Sequence, residues 1–339
     1  MRPIPRKILV VRNDKLGDFV LALPSFALLK QHLPDTQICA LAPTYTAELA
    51  QTVDYIDQII IDQPNTGARQ LATQLREQNF DAIITLFSTT RVGLAAHLAK
   101  IPYRLAPATK LAQLFYNDRL KQRRSRSEKP EYAYNLDLVV HYLNRLGSPA
   151  QPNLTPPYLQ FNTLCVQGHK QQLLGNTNDN AFLIFIHPGS GGSAKNLSLE
   201  QYAELCHQLT PPTNTLFVIS AGPGEYEQAH ALAKLISSLP HLVYESKQGL
   251  SVFAEHLQIA DLFISGSTGP LHIAGALDVP TAAFYPRRRS ATSLRWQTLN
   301  SETKRLGFMP PETALDEEMS KINLQQAADL INQKLLTQY

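Results

Sequence analysis

Lys7-Ile8-Leu9-Val10-Val11 runs directly into Arg12-Asn13-Asp14-Lys15-Leu16-Gly17-Asp18, and then into Phe19-Val20-Leu21-Ala22-Leu23-Pro24. Four consecutive apolar residues, Ile8 to Val11, read as a strand buried on both faces, the pattern of parallel sheets covered by helices. The polar turn after it delivers Asp18 to the start of an apolar helix. A carboxylate there has two readings. It can complement the helix dipole in the first turn, or it can act as a general base on a bound hydroxyl. Gly17 beside it permits close approach of backbone and ligand.

The same strand-loop-helix unit recurs along the chain. Strands are predicted at Lys7–Val11, Gln37–Leu41, Gln58–Ile61, Asp81–Leu86 and near Tyr103. Helices are predicted at Phe19–Gln31, Tyr45–Gln51, Ala68–Gln78 and Arg91–Ala99. A basic stretch, Lys121 to Lys129, precedes a helix over Tyr132–Leu146. Gly147 then stops that helix, and Pro149, Pro152, Pro156 and Pro157 read as a linker. After a helix near Cys165–Leu174 the alternation resumes, with strands at Phe182–Ile186, Thr215–Ser220, Leu242–Tyr244, Leu262–Ser265 and Thr281–Phe284. Helices are predicted between them at Leu199–Leu209, Glu225–Ser237, Ser251–Gln258 and Pro270–Leu277.

The expectation is an α/β protein of two Rossmann-like, doubly wound domains, residues 1–155 and 156–339, facing a cleft. The last helix is free in this reading to return to the first domain. Ligands bind beyond the carboxyl ends of such strands, so the loops that follow strands carry the chemistry.

Composition narrows the class. The chain has 339 residues, 44% hydrophobic and 17% charged, with a formal net charge of +3. That charge, spread over such a length, calls for no nucleic-acid partner. Three cysteines, Cys39, Cys165 and Cys206, lie far apart without metal-like spacing, which points to a reducing compartment. The basic start is interrupted at Arg12 before a signal-peptide core develops, and no stretch has the apolar length of a membrane span. A cytoplasmic monomer, able to touch the inner membrane peripherally, is expected.

Three further loops follow strands. His187-Pro188-Gly189-Ser190-Gly191-Gly192-Ser193-Ala194-Lys195 offers small residues, free amides and a lysine, the makings of an anion pocket for a diphosphate. It lacks the Walker spacing. In Ser220-Ala221-Gly222-Pro223-Gly224-Glu225-Tyr226-Glu227 the acids either cap the next helix or accept hydrogen bonds from ribose hydroxyls. Ser265-Gly266-Ser267-Thr268-Gly269-Pro270-Leu271-His272 brings hydroxyls and amides to the start of an apolar helix, suited to a departing phosphate. The basic residues Lys121, Arg123, Arg124, Arg126 and Lys129, with Arg287, Arg288, Arg289 and Arg295, either are solvated or meet an anionic ligand. Tyr285 and Trp296 either pack in the core or stack on a sugar.

Taken in order, Gly17-Asp18 with Leu23-Pro24, His187-Pro188-Gly189-Ser190 through Lys195, and Ser265 through His272 resemble glycosyltransferase family 9, the heptosyltransferases of the lipopolysaccharide inner core. The resemblance runs over nearly the whole chain. It implies a GT-B fold and inverting transfer without a cofactor or metal. The implied donor is an ADP-sugar, and the implied acceptor an anionic glycolipid, a Kdo- or heptose-bearing lipid A precursor. It places the catalytic aspartate on Asp18 and the phosphate-binding lysine on Lys195. The donor nucleotide and phosphates fall to Ser190, Gly191, Gly192, Ser193, Ser267, Thr268, Gly269 and His272, with the ribose on Glu225 or Glu227. Acceptor contacts are expected from Asn13, Lys15, Arg123, Arg124 and Arg126. One departure stands out: Ser267 occupies the place where the family motif carries aspartate. A sugar-nucleotide epimerase of the same architecture and a non-catalytic nucleotide-sugar-binding protein are the alternatives. A nicotinamide-dependent oxidoreductase is disfavoured, because the first strand is not followed by its glycine fingerprint.

Overall fold

The computed structural model describes residues 3–109, 111–152, 155–175, 180–192 and 195–336. The chain forms two compact units, residues 1–124 with 128–154, and residues 125–127 with 155–339.

The first unit comprises β1 (Lys7–Val11), α1 (Leu16–Val20), α2 (Leu23–His32), β2 (Gln37–Pro43), α3 (Thr44–Ala50), β3 (Gln58–Asp62), α4 (Ala68–Glu77), β4 (Ala82–Thr85), α5 (Thr90–Leu98), β5 (Tyr103–Pro107), β6 (Asp118–Leu120) and α6 (Glu131–Leu146). Its strands form one sheet in the order β3-β2-β1-β4-β5-β6, every pair parallel. Leu9 lies opposite Cys39 on one side and Ile83 on the other. Leu9, Val11, Leu41 and Ile83 pack beneath Leu71 and Leu75 of α4 and Val92 and Ala96 of α5. Burial of these side chains on both faces explains why β1 reads as an unbroken apolar run.

The second unit comprises α7 (Thr163–Leu174), β7 (Phe182–His187), α8 (Leu199–Gln208), β8 (Thr215–Ala221), α9 (Tyr226–Leu235), β9 (His241–Glu245), α10 (Leu250–Leu257), β10 (Leu262–Gly266), α11 (Gly269–Ala276), β11 (Thr281–Phe284), β12 (Arg305–Phe308) and α12 (Leu324–Ile331). Its sheet runs β12-β11-β10-β7-β8-β9, again all parallel. Both sheets therefore have the Rossmann order and reverse direction beside their own first strand, at β1/β4 and at β7/β10.

Local signals set the element ends. Gly147 closes α6 in the left-handed region at φ 81°. Ser198 and Gln201 form a reciprocal capping box on α8. The helix expected over Phe19–Gln31 is two helices, α1 and α2, separated at Leu21-Ala22. Ala327, Ala328 and Ile331 of α12 lie in the second core with Tyr202, Leu205 and Cys206 of α8. Among the described residues no helix is long and apolar enough to cross a membrane, and all three cysteines are free thiols.

Candidate active site

In the first unit, the strand β1 ends at the crossover point of its sheet, and the next residue, Arg12, is buried. Its guanidinium organises the whole turn. Nη2 donates to Asp18 Oδ1, Nε to Asp14 at 2.9 Å, and Nη1 to both Glu131 at 2.7 Å and Asn135 at 3.1 Å. Glu131, in the first turn of α6, also accepts from Arg124 at 2.6 Å. Asn135 in turn donates to the Leu21 carbonyl at 3.2 Å.

Arg12 and Arg124 thus bind three carboxylates, Asp14, Asp18 and Glu131. The electrostatic result is visible at Asp18. Burial pushes its carboxyl up, and Asp14 and Glu131 add to the rise against the pull of Arg12, for a pKa of about 6. Burial alone would lower Arg12, but the three carboxylates outweigh it and the guanidinium stays charged. A carboxylate poised near neutral pH, at the end of the first strand, is the profile of a general base.

The expected acceptor contacts divide. The Asn13 amide donates to Asp62 at 2.5 Å, and Asp62 is paired with Arg91. Arg124 is held by Glu131 and lies over the Tyr134 ring. Both half-buried side chains thus have partners within the first unit. Lys15, Arg123 and Arg126 are exposed. Arg12, Glu131 and Asn135 escaped the sequence reading. The available signal was a charged residue terminating a fully apolar strand, which only buried partners can satisfy.

In the second unit, the loops after β7, β8 and β10 converge through side chains. Gly191 and Gly192 have φ of 51° and 70°, a conformation that favours glycine. Glu225 accepts from the Gly191 amide at 2.9 Å and from the Gly222 amide at 3.1 Å, so one carboxylate fastens the β7 loop to the β8 loop. Gly189 is the residue that lets it fit, since a Cβ there would collide with that carboxylate. His187 stands beside it, with Nε2 at 3.4 Å from Glu225 and Nδ1 at 3.1 Å from the Ser220 carbonyl; burial lowers its pKa. Of the two candidate ribose contacts, Glu225 thus engages loop amides, whereas Glu227 is exposed in the first turn of α9.

Asn196, another residue the sequence reading passed over, donates to the Pro188 carbonyl at 2.9 Å and accepts from the Tyr202 hydroxyl at 2.6 Å. Its amide rests against Gly266, where a Cβ would come within 2.5 Å of Oδ1. Lys195 is exposed immediately before it, so Asn196 anchors the lysine's backbone beside the end of β10. Ser193 lies outside the described residues. Ser190, Ser267 and Gly269 are half-buried.

Thr268 caps α11 by accepting from the Leu271 amide at 3.4 Å. One turn on, His272 is buried edge-on to Trp296, with ring centroids 6.3 Å apart. Burial lowers its pKa to about 4, so it is neutral at physiological pH, and Nδ1 has no hydrogen-bond partner among the described residues. Tyr285 is a core residue, donating to the Trp296 carbonyl at 3.2 Å. In the second basic cluster Arg288 is paired with Glu317 at 3.2 Å, and Arg295 lies over the Trp296 ring at 5.7 Å. Among the described residues no group of three or more His, Cys, Asp and Glu is arranged to hold a metal ion.

The chain as a whole is similar to known proteins. The family model described as glycosyltransferase family 9 (heptosyltransferase) matches residues 68–307. A Haemophilus influenzae chain, provisionally named as a glycosyltransferase, is 46% identical over 326 residues, covering 94% of each chain. Among solved structures, the E. coli ADP-heptose LPS heptosyltransferase II superposes with a TM-score of 0.78 at 19% identity, covering 98% of this chain and 99% of that one. The E. coli heptosyltransferase WaaC with ADP gives 0.70 at 20% identity, covering 97% and 99%. The two Rossmann-ordered sheets are thus those of a GT-B fold, and the chain belongs to glycosyltransferase family 9, a family of sugar-transferring enzymes.

Proposed function

We propose that this glycosyltransferase is inverting and metal-independent, and moves a heptose or related sugar from an ADP-sugar to a lipopolysaccharide or lipooligosaccharide core acceptor in the cytoplasm. The observation that carries the reading is Asp18, a buried carboxyl raised to about 6 within a fixed network of charges. At pH 7 it is mostly ionised and still basic enough to accept a proton. Support for the donor comes from the family and from the relative whose structure contains ADP.

In the proposed step, the acceptor hydroxyl oxygen attacks the anomeric carbon as its proton passes to Asp18. The bond from that carbon to the diphosphate oxygen breaks on the opposite face, and the electron pair leaves with the nucleoside diphosphate. The configuration at the anomeric carbon is thereby inverted. Lys195, the Gly192 amide and the start of α11 provide the positive field for the departing charge, while the Gly191 amide is held by Glu225. Neutral His272 has a ring nitrogen available for a phosphate or sugar oxygen. These groups can do the work that a divalent cation does elsewhere.

The decisive experiment combines binding with transfer. Thermal shift with ADP, UDP and GDP should show the largest stabilisation with ADP, because a ligand that binds only the native state raises apparent stability. Transfer to a lipooligosaccharide acceptor should persist in EDTA. Preference for UDP or GDP would overturn the donor, loss of transfer in EDTA the metal independence. Interconversion of the donor without any acceptor would point instead to an epimerase.

A further inference from the structure

Two exposed aromatic side chains flank the turn that ends β1, one from each neighbouring strand. β2 pairs with β1 on one side and β4 pairs with it on the other. Tyr45 stands just past the end of β2 and is 53% exposed; Phe87 stands just past the end of β4 and is 41% exposed. A single exposed ring is ordinary on a protein surface. Two rings fixed to opposite sides of one charged turn are a built feature.

Both rings are tied to the turn that carries Asp18. The Tyr45 hydroxyl donates to the Asp14 carbonyl at 3.1 Å. Its pKa is raised by partial burial, and the charges of Asp14 and Asp18 add to the rise, so both carboxylates lie within its electrostatic reach. On the other side the Leu86 amide donates to the Val11 carbonyl at 3.0 Å, and Phe87 therefore leaves β4 level with Arg12. The Arg12 guanidinium carbon lies over the Phe87 ring, 5.7 Å from its centroid. That guanidinium donates to Asp14 and to Asp18, so Phe87 is one contact removed from the carboxyl. A ring that served only to cover Arg12 would gain free energy by closing over it, because apolar area removed from water is stabilising. Phe87 instead keeps much of its surface outward, and Asp18 itself is not sealed, retaining 7% exposure.

The chemistry of this surface selects its ligand. A sugar ring presents C–H groups on a face, and these rest on the negative face of an aromatic ring, while its hydroxyls stay free at the edge. The half-buried Ser88 hydroxyl, 3.4 Å from that of Thr109, supplies a neutral polar edge beside Phe87. We propose that Tyr45 and Phe87 are specificity-determining residues, whose rings receive the acceptor's sugar ring by stacking and hold its hydroxyl toward Asp18. The proposal rests on Asp18 as the base and goes beyond it in naming what orients the acceptor.

The test joins acceptor kinetics to a binding measurement that needs no turnover. With a lipooligosaccharide acceptor, Phe87→Ala should raise the acceptor KM about tenfold and Tyr45→Ala about fivefold, with the donor KM unchanged. Phe87→Trp should restore the parental KM and Phe87→Leu should not, since leucine is apolar but has no aromatic face. Tyr45→Phe keeps the ring and should stay within about twofold of the parent. The rise in KM should be alike at low and high salt, because a contact between neutral groups is not screened. Binding is read by saturation-transfer NMR of the deacylated core oligosaccharide on Asp18→Asn without donor; its C–H signals should be seen there and be lost when Phe87→Ala is added. Circular dichroism and melting temperature serve as controls and should be little changed, because both rings are exposed. A parental acceptor KM in folded Phe87→Ala, equal KM values in Phe87→Leu and Phe87→Trp, or an undiminished oligosaccharide signal would each overturn the proposal. Near-parental turnover in Asp18→Asn, with the acceptor KM still raised in Phe87→Ala, would remove the base and leave the stacking surface standing.

Discussion

The ends of β1 and β7 occupy equivalent places in two sheets of the same strand order, yet they are furnished in opposite ways. At the end of β1 the turn is built from charge: one buried guanidinium, three carboxylates and a second arginine. At the end of β7 it is built from glycine and backbone amides, fastened by the Glu225 carboxylate and the Asn196 amide. The difference teaches that the strand order supplies a place and the loop supplies the chemistry. A charged cluster shifts the pKa of Asp18, whereas a glycine loop folds its backbone around one carboxylate.

The comparison can be broken most severely at Asp18. Asp18→Asn should cut kcat by about 10²–10⁴-fold while leaving the ADP-induced thermal shift intact; near-parental turnover would remove the base from β1's turn. Arg12→Met leaves carboxylates buried without their cation, and a loss of about 3–5 kcal/mol in urea unfolding is expected. A loss below about 1 kcal/mol would mean the network does not hold the turn.

The pH dependence sharpens the same contrast. Below about pH 6 Asp18 becomes protonated, so kcat/KM should fall tenfold per unit there, and the acid limb should vanish in Asp18→Asn. The stability sign runs the other way. A carboxyl raised from its usual value near 3.8 to about 6 favours the folded state most at pH below 3.8, and that contribution is lost as pH rises through 6. At pH 8 the asparagine variant should therefore unfold at higher urea than the parent, by about 1–3 kcal/mol, and a lower midpoint would contradict the raised pKa.

On the β7 side the effects should be smaller and confined to binding. Gly189→Ala drives a methyl group into the Glu225 carboxylate and should weaken ADP binding about tenfold, with kcat at saturating donor changed less. Glu227→Gln, if a ribose bond is lost, should raise the donor KM by roughly two- to tenfold. A fall in kcat without a change in KM in either variant would place catalysis on the wrong turn.

The contrast also explains what could be read from the sequence. Strands such as Phe182–His187 and Lys7–Val11 announce themselves, because burial on both faces leaves no polar interruption. The edge strands β6 and β12 were missed because short, half-buried pieces such as Asp118–Leu120 and Arg305–Phe308 need only one neighbour and little apolar surface. Asp18 was legible as the carboxylate of a strand-to-helix turn. Arg12, Glu131 and Asn135 were not legible as a network, since 119 positions separate Arg12 from Glu131 and only the fold brings them together. Asn196 was hidden by its neighbour, the more conspicuous Lys195. The sequence left Glu225 and Glu227 open between capping the next helix and meeting a ribose; that Glu225 holds two backbone amides across two loops could be seen only in the fold.

Placement of α12 has a consequence for biosynthesis. Its Ala327, Ala328 and Ile331, together with Leu335 and Leu336, complete a core begun at Phe182. A nascent chain therefore cannot seal the second unit until more than 150 further residues have left the ribosome, whereas α6 of the first unit has emerged long before. Truncation ahead of Leu336 would leave that hydrophobic seam open to water, to chaperones and to proteases.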